Sequence, residues 1–246
     1  MFLLTIFVGT LIYNLAAFPF SQESRYKIYF QQTVDLDTGV SRVHYVGLRE
    51  YVEKIVADLP SATGKELTCD PTSSSRAGLY NCSYDGSAVP PNVVKTMPPG
   101  IPPQNGYDSW LSYNITHNEG ENKARFEVNG EETRSCAIVF QKPISTFEIK
   151  GGNGPDERFG GIPDKGLDKI KLYRRDWGTP WVVDVEWEQS GDGDSGIDGR
   201  VVCSWDDANT PGTIPAFDEG LQYSPPWVAV TKLSTGLCEG SKAFKA

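Results

Sequence analysis

The chain opens on an unbroken apolar run and then changes to short alternating segments. No charged side chain occurs before Glu23. The run from Met1 to Phe20 matches the roughly 20 apolar residues that one bilayer crossing requires. It predicts a transmembrane helix or signal anchor over residues 1–20. Pro19 closes it, because the proline ring removes an amide donor and clashes with the preceding turn. A cleaved signal peptide fits less well. No Lys or Arg precedes the core, and Phe18-Pro19-Phe20 follows Ala16-Ala17 directly. A buried helix of a soluble protein normally keeps one polar face, which argues against that third reading.

Beyond the run the pattern becomes that of strands. Arg25 to Val34 is rich in aromatic and β-branched residues, Ser41 to Val46 alternates, and Asp35 to Gly39 supplies the turn of a hairpin. Leu48, Tyr51, Val52, Ile55, Val56 and Leu59 fall on one helical stripe that Pro60 ends. Ala124 to Val128, Asn129-Gly130 and Thr133 to Phe140 predict a second hairpin, since Asn-Gly tolerates positive φ. Strands are expected at Asp168 to Tyr173, Trp181 to Glu188, Gly199 to Trp205 and Trp227 to Lys232, with a short helix at Ile214 to Leu221. Short strands with regular turn signals predict a mainly β fold, an antiparallel β-sandwich-like lumenal domain with one or two short helices, over residues 21–246. The proline-rich stretch 89–104 is a candidate internal boundary.

Charge narrows the partners. The net charge is −9, and all of it lies behind the apolar run. An acidic surface with no Lys/Arg cluster disfavours nucleic acid and offers no polybasic membrane patch. Asn81-Cys82-Ser83 and Asn114-Ile115-Thr116 are glycosylation sequons, expected on exposed loops, with Asn81 and Asn114 as acceptors. In an oxidising compartment disulfides become the default for the five cysteines. Cys69 and Cys82 enclose a polar, turn-rich loop, and Cys136 and Cys203 sit in strand-like runs that a bridge could join. Five is odd, and Cys238 is the candidate left over. Sequence alone leaves the connectivity open.

Candidate chemistry is sparse. The two histidines, His44 and His117, lie in no zinc-binding pattern such as HExxH, and no nucleophile elbow is present. No resident metal or cofactor is expected. Asp184, Glu186 and Glu188 alternate with Val183, Val185 and Trp187, which puts three acids on one strand face. A retaining glycosidase places its two carboxyl groups roughly 5–5.5 Å apart, so this face is a weak candidate for acid and nucleophile. A half-buried strand with its polar side in water explains the same pattern. Asp192 to Asp198 is reminiscent of a calcium loop, but an EF-hand requires Glu at its last position, where Cys203 stands. A solvated hairpin turn explains that loop better. Tryptophans on a β body can line a sugar-binding face, though core packing uses them more often.

The stretches PDERFGGIPDKGLDKIKLYRRDW (155–177), WVVDVEWE (181–188), GRVVCSWDDANTPGTIPAFDEGLQYSPPWVAVTKL (199–233) and EGSKAF (239–244) resemble the C-terminal region of fungal vacuolar membrane proteases. NLAAFPFSQESRYKIYFQQTVDLDTG (14–39) resembles the last membrane helix of that family and its exit into the lumen. The resemblance covers nearly the whole chain. It implies multi-spanning zinc aminopeptidase-like proteins, of which this chain corresponds to the final helix and the lumenal domain. Zinc is then expected only in a peptidase domain that this chain does not contain, so no catalytic or metal residue carries over. Cys238 departs from the pattern. The expectation is a non-catalytic accessory domain, its bulk in the vacuolar lumen, with the membrane and a peptidase domain, its substrate or another lumenal protein as partners. The alternative is a secreted or cell-wall carbohydrate-binding or carbohydrate-active β-sandwich.

Overall fold

A computed structural model gives the fold and describes residues 2–72, 78–94, 107, 109–117, 120–152, 158, 161–188, 196–233 and 236–246. Its first half runs α1 (Phe2–Ala16), β1 (Tyr26–Asp35), β2 (Ser41–Leu48), α2 (Arg49–Ala57), β3 (Thr68–Pro71), β4 (Leu79–Asp85), β5 (Leu111–His117) and β6 (Lys123–Gly130). There follow β7 (Ser135–Ile144), β8 (Thr146–Ile149), β9 (Leu167–Tyr173), β10 (Trp181–Glu186), β11 (Asp198–Trp205), α3 (Pro215–Tyr223), β12 (Val228–Lys232) and β13 (Cys238–Lys245).

The strands form a nine-stranded and a four-stranded sheet. The large sheet has the order β3-β4-β2-β1-β13-β11-β7-β9, with β12 also paired to β1. The small sheet has the order β5-β6-β10-β8. The fold is mainly β as expected, but the large sheet is mixed rather than antiparallel. β1 runs parallel to β12 through Tyr26↔Val228 to Phe30↔Lys232, and parallel to β13 through Gln32↔Cys238 to Asp35↔Ser241. One N-terminal strand therefore takes two C-terminal strands in tandem along the same edge. Hairpin signals cannot announce such a pairing, because parallel partners need a long crossover.

The period of two explains the burial. β1 buries Ile28, Phe30 and Val34, and β10 buries Trp181, Val183 and Val185 while Val182, Asp184 and Glu186 stay half-buried. The sheets meet through aromatic contacts. Phe126 on β6 lies 5.0 Å from Phe244 on β13 and 5.9 Å from Phe140 on β7, edge to face. One hydrophobic cluster takes residues from before, within and after segment 89–104. Val93 and Val94 are buried in it, and Asn92 N–H donates to Thr213 O. Residues 95–104 of the candidate boundary lie outside the described residues.

The Asn129-Gly130 hairpin does not form. β6 pairs with β5 and β10, whereas β7 pairs with β11 and β9, so the segment between them crosses from one sheet to the other. Gly130 has no positive φ; the left-handed residue is Glu132, at φ 48°. Gly130 is needed for space instead. A Cβ there would lie 2.5 Å from Thr133 Cγ2 and 3.0 Å from the sulfurs of both Cys136 and Cys203.

The apolar run forms α1, but as 15 residues rather than 20. That is about 22 Å of helix at ~1.5 Å per residue, against a hydrocarbon core of about 30 Å. Among the described residues, no helix is long and apolar enough to cross a membrane. No residue of α1 is buried against the body.

Gly130→Ala is expected to lower stability by about 1–3 kcal/mol, as overpacking of a filled interior does. Gly178→Ala, where the nearest atom to the new methyl is 3.9 Å away, is the control. Thermal unfolding under oxidising conditions checks the pair, and equal midpoints would contradict the packing argument.

Candidate functional site

A cleft lies beside the sheet-to-sheet crossing. Behind it, Cys136 on β7 and Cys203 on β11 stand opposite each other in register and form a disulfide with Cα atoms 4.0 Å apart. Arg174, the first residue after β9, reaches over the crossing. Its guanidinium donates to Gly130 O at 2.5 Å, Thr133 O at 3.2 Å, Asn129 Oδ1 at 3.2 Å and Thr179 O at 2.6 Å. It also lies 4.3 Å over the Trp181 ring. The planar fork of arginine suits such a set of carbonyls, which a lysine ammonium cannot reach together. Thr133 Oγ1 donates to Ser204 O, and Trp205 Nε1 donates to Glu131 O at 2.8 Å. The crossing backbone is thus tied into both sheets.

The cleft beside it measures about 700 Å³ and is lined by Glu131, Glu132, Arg134, Trp177, Asp206 and Asp207 among others. Arg134 sits 4.8 Å over Trp177, whose indole is 47% exposed. Asp206 is paired with Lys232, and Asp207 accepts the N–H groups of Asn209 and Thr210. Neither histidine lines this cleft, so no nucleophile there has an imidazole base. The cleft thus presents a flat indole under a guanidinium, with an acidic rim.

The acid strand has become a charge ladder. Arg125 on β6 grips Asp184 with Nε at 2.6 Å and Nη2 at 2.9 Å. Lys150 reaches Asp184 at 3.2 Å and Glu148 at 2.8 Å, and Lys123 reaches Glu186 at 2.7 Å. The Arg125 hydrogen bonds hold the Asp184 carboxyl down to about 2. Such a group stays ionised and does not serve as a general acid near neutral pH. Strand β10 ends at Glu186, and the exposed Glu188 lines a different groove with Lys142 and Lys165. The three acids therefore do not form one catalytic face. Asp184 and Glu186 belong to partly exposed pairs of the kind worth about 0–1 kcal/mol.

The histidines are engaged elsewhere. His44 Nδ1 lies 3.2 Å from Asn81 Oδ1, which makes that nitrogen the donor, and Thr33 Oγ1 lies 3.0 Å from Nε2. Burial lowers the His44 pKa, which favours the uncharged ring. His117, at the end of β5 rather than in a loop, donates from Nε2 to Glu121 O at 2.8 Å. Among the described residues, no group of three or more His, Cys, Asp or Glu is placed to hold a metal. Residues 192–195 of the candidate calcium loop lie outside the described residues, and Asp198 opens β11.

The second disulfide joins Cys69 on β3 to Cys82 on β4, again in register. Cys238 is a fully buried thiol, and burial pushes its pKa far up. The sequons lie on strands, not loops. Asn81 is half-buried in β4, flanked by β2 and β3, with its amide committed to His44. Asn114 is exposed on β5, at the edge of the small sheet. Arg174 escaped the sequence reading because nothing separates it from its neighbour Arg175 in the string YRRDW.

A family profile described as "Vacuolar membrane protease, C-terminal domain" matches residues 26–239. A vacuolar membrane protease of Sclerotinia sclerotiorum is 52% identical over 244 residues, 98% of this chain and 22% of that protein. The one of Botryotinia fuckeliana is 51% identical over 246 residues, 99% of this chain and 23% of that protein. The one of Neurospora crassa is 45% identical over 252 residues, 99% of this chain and 23% of that protein. The chain thus spans less than a quarter of the length of these relatives. Among solved structures, the Fcho1 Mu homology domain of Danio rerio with bound Eps15 peptide is similar at a TM-score of 0.25 and 8% identity. That likeness covers 88% of this chain and 92% of that one, and is too slight to carry an argument.

Arg174→Lys keeps the charge but loses the fork. It is expected to lower stability by about 2 kcal/mol, the scale of charged hydrogen bonds left unmade. Urea unfolding checks it: the midpoint should fall with the slope unchanged. A midpoint equal to that of the parent chain would remove Arg174 from its clamping role.

Proposed function

This chain belongs to the vacuolar membrane protease family as its C-terminal domain, and from that membership we propose that it is a non-catalytic accessory domain facing the vacuolar lumen. Hydrolysis, and the zinc that serves it, belong in this reading to a part of the longer protein outside this chain. The β body contacts the peptidase domain or its substrate, and the open cleft beside Arg134 and Trp177 is the face suited to that contact.

One observation carries the reading. Both histidines are committed to hydrogen bonds, His44 between Thr33 and Asn81 and His117 on Glu121. The chain's only imidazoles are therefore spent on holding strands and a turn. Helix α1 is apolar and unburied on every face, which supports placing it in the bilayer with its Ala16 end at the lumenal interface. Two disulfides between register partners support an oxidising side for the body.

The isolated chain, loaded with zinc and offered aminopeptidase substrates, is expected to release no product. Turnover above the metal-free background would overturn the non-catalytic assignment. The lumenal side is tested by glycosylation. Asn114 is expected to carry the glycan, so Asn114→Gln should abolish the endoglycosidase-sensitive mass shift, while Asn81→Gln leaves it in place. An unmodified chain from its native membrane would place the body on the other side.

A further inference from the structure

Five aromatic rings gather where α1 meets the body. Phe18 and Phe20 come from the exit of the helix, Tyr26 from the start of β1, Tyr51 from α2, and Trp227 from the residue before β12. Phe18 lies 4.9 Å from Trp227 and 6.0 Å from Tyr51. Phe20 lies 4.9 Å from Tyr26, 5.4 Å from Tyr51 and 6.2 Å from Trp227, stacked on the last. The collar is anchored from behind. Tyr26 N–H donates to Trp227 O at 2.8 Å, and Leu48 N–H donates to Tyr26 Oη at 2.6 Å. Its outer side is open: Phe18 is 50% exposed, and Trp227 is only half-buried.

We propose that this collar is a lipid-docking surface, seated in the headgroup layer of the bilayer, so that the body rests on the membrane instead of swinging from α1. The proposal depends on the reading of α1 as membrane-embedded and deepens it. Reach is the first argument. Only Ala17 separates the last helical residue, Ala16, from Phe18. Two residues of extended chain span at most about 7 Å, so a bilayer holding α1 must also touch the collar. Chemistry is the second. Tyr and Trp combine an apolar ring with a polar handle and concentrate at the membrane interface. The polar side begins directly afterwards. Ser21 Oγ accepts from the N–H groups of Glu23 and Ser24 at 3.2 and 3.1 Å, a turn that satisfies itself on the water side of Phe20. Charge is the third. The chain's net charge of −9 rules against attraction to anionic lipid, so the attachment is apolar and insensitive to salt.

The test uses the full chain in neutral phosphatidylcholine vesicles containing lipids brominated either near the headgroup or deep in the acyl chain. Tryptophan emission is read. Shallow bromines are expected to quench part of the native emission at low and high salt alike, and Trp227→Phe should lose most of that quenching. Phe18→Trp should gain shallow quenching, which keeps the test alive if Trp227→Phe folds poorly. Phe7→Trp, nine residues and about 13 Å of helix from Ala16, reports on α1 separately and should be quenched by the deep bromines. If Phe7→Trp is quenched while neither Trp227 nor Phe18→Trp responds, the helix reading stands and the docking proposal falls. If none responds, α1 is not in the bilayer and both fall.

Discussion

The architecture turns on a place where the backbone has room for a hydrogen atom and no more. At Gly130 the chain leaves the small sheet for the large one and passes close against Thr133 and the Cys136–Cys203 disulfide. A crossing so tight could not stand with open carbonyls, since buried unpaired polar groups cost about 1–3 kcal/mol each. Arg174 and the Trp205 indole supply the missing donors. Sheet, disulfide and arginine therefore depend on one another. The cleft with Arg134, Trp177 and the acidic rim lies against this crossing, whose residues Glu131 to Ser135 form part of its wall.

The same reliance on paired polar groups shapes the small sheet. Asp184 and Glu186 on β10, Lys123 and Arg125 on β6, and Lys150 just after β8 lie at distances that pair opposite charges. A carboxylate held by a bidentate guanidinium is a poor proton donor and a poor nucleophile. His44 is confined between Thr33 and Asn81, on β1 and β4 to either side of its own strand. Membership of a protease family thus sits beside a body in which these polar side chains hold strands together. The proposed accessory role rests on that combination.

The N-terminal helix is the part that the body leaves unburied. It presents Phe, Leu, Ile and Val on all sides with no partner in the body. Apolar surface of that extent is unfavourable in water at about 25 cal/mol per Å². The collar at its foot joins the two environments. Its rings pack on one another, on the body through Tyr26 and Tyr51, and outward through Phe18.

Much was legible from local pattern. Alternation located β1, β2, β9, β10 and β11, the 3–4 stripe located α2 within a residue or two at each end, and the apolar run gave α1, though five residues too long. The odd cysteine was legible too, because Cys69 and Cys82 bracket a turn while Cys136 and Cys203 lie in strands. Family resemblance was carried by strings of adjacent residues, which sequence preserves directly. The rest depended on partners far apart in the chain. Asn129-Gly130 carries the same local signal whether it closes a hairpin or ends a strand beside a disulfide; only the pairing of β6 and β7 with different neighbours decides. The acid strand alternates identically as a catalytic face or as half of an ion-pair ladder, and the partners Arg125 on β6 and Lys150 after β8 are visible only in the fold. Tyr26, Tyr51 and Trp227 are unremarkable singly and become a collar only when β1, α2 and β12 meet. Periodicity is a property of neighbours along the backbone, whereas a site is made by neighbours across it.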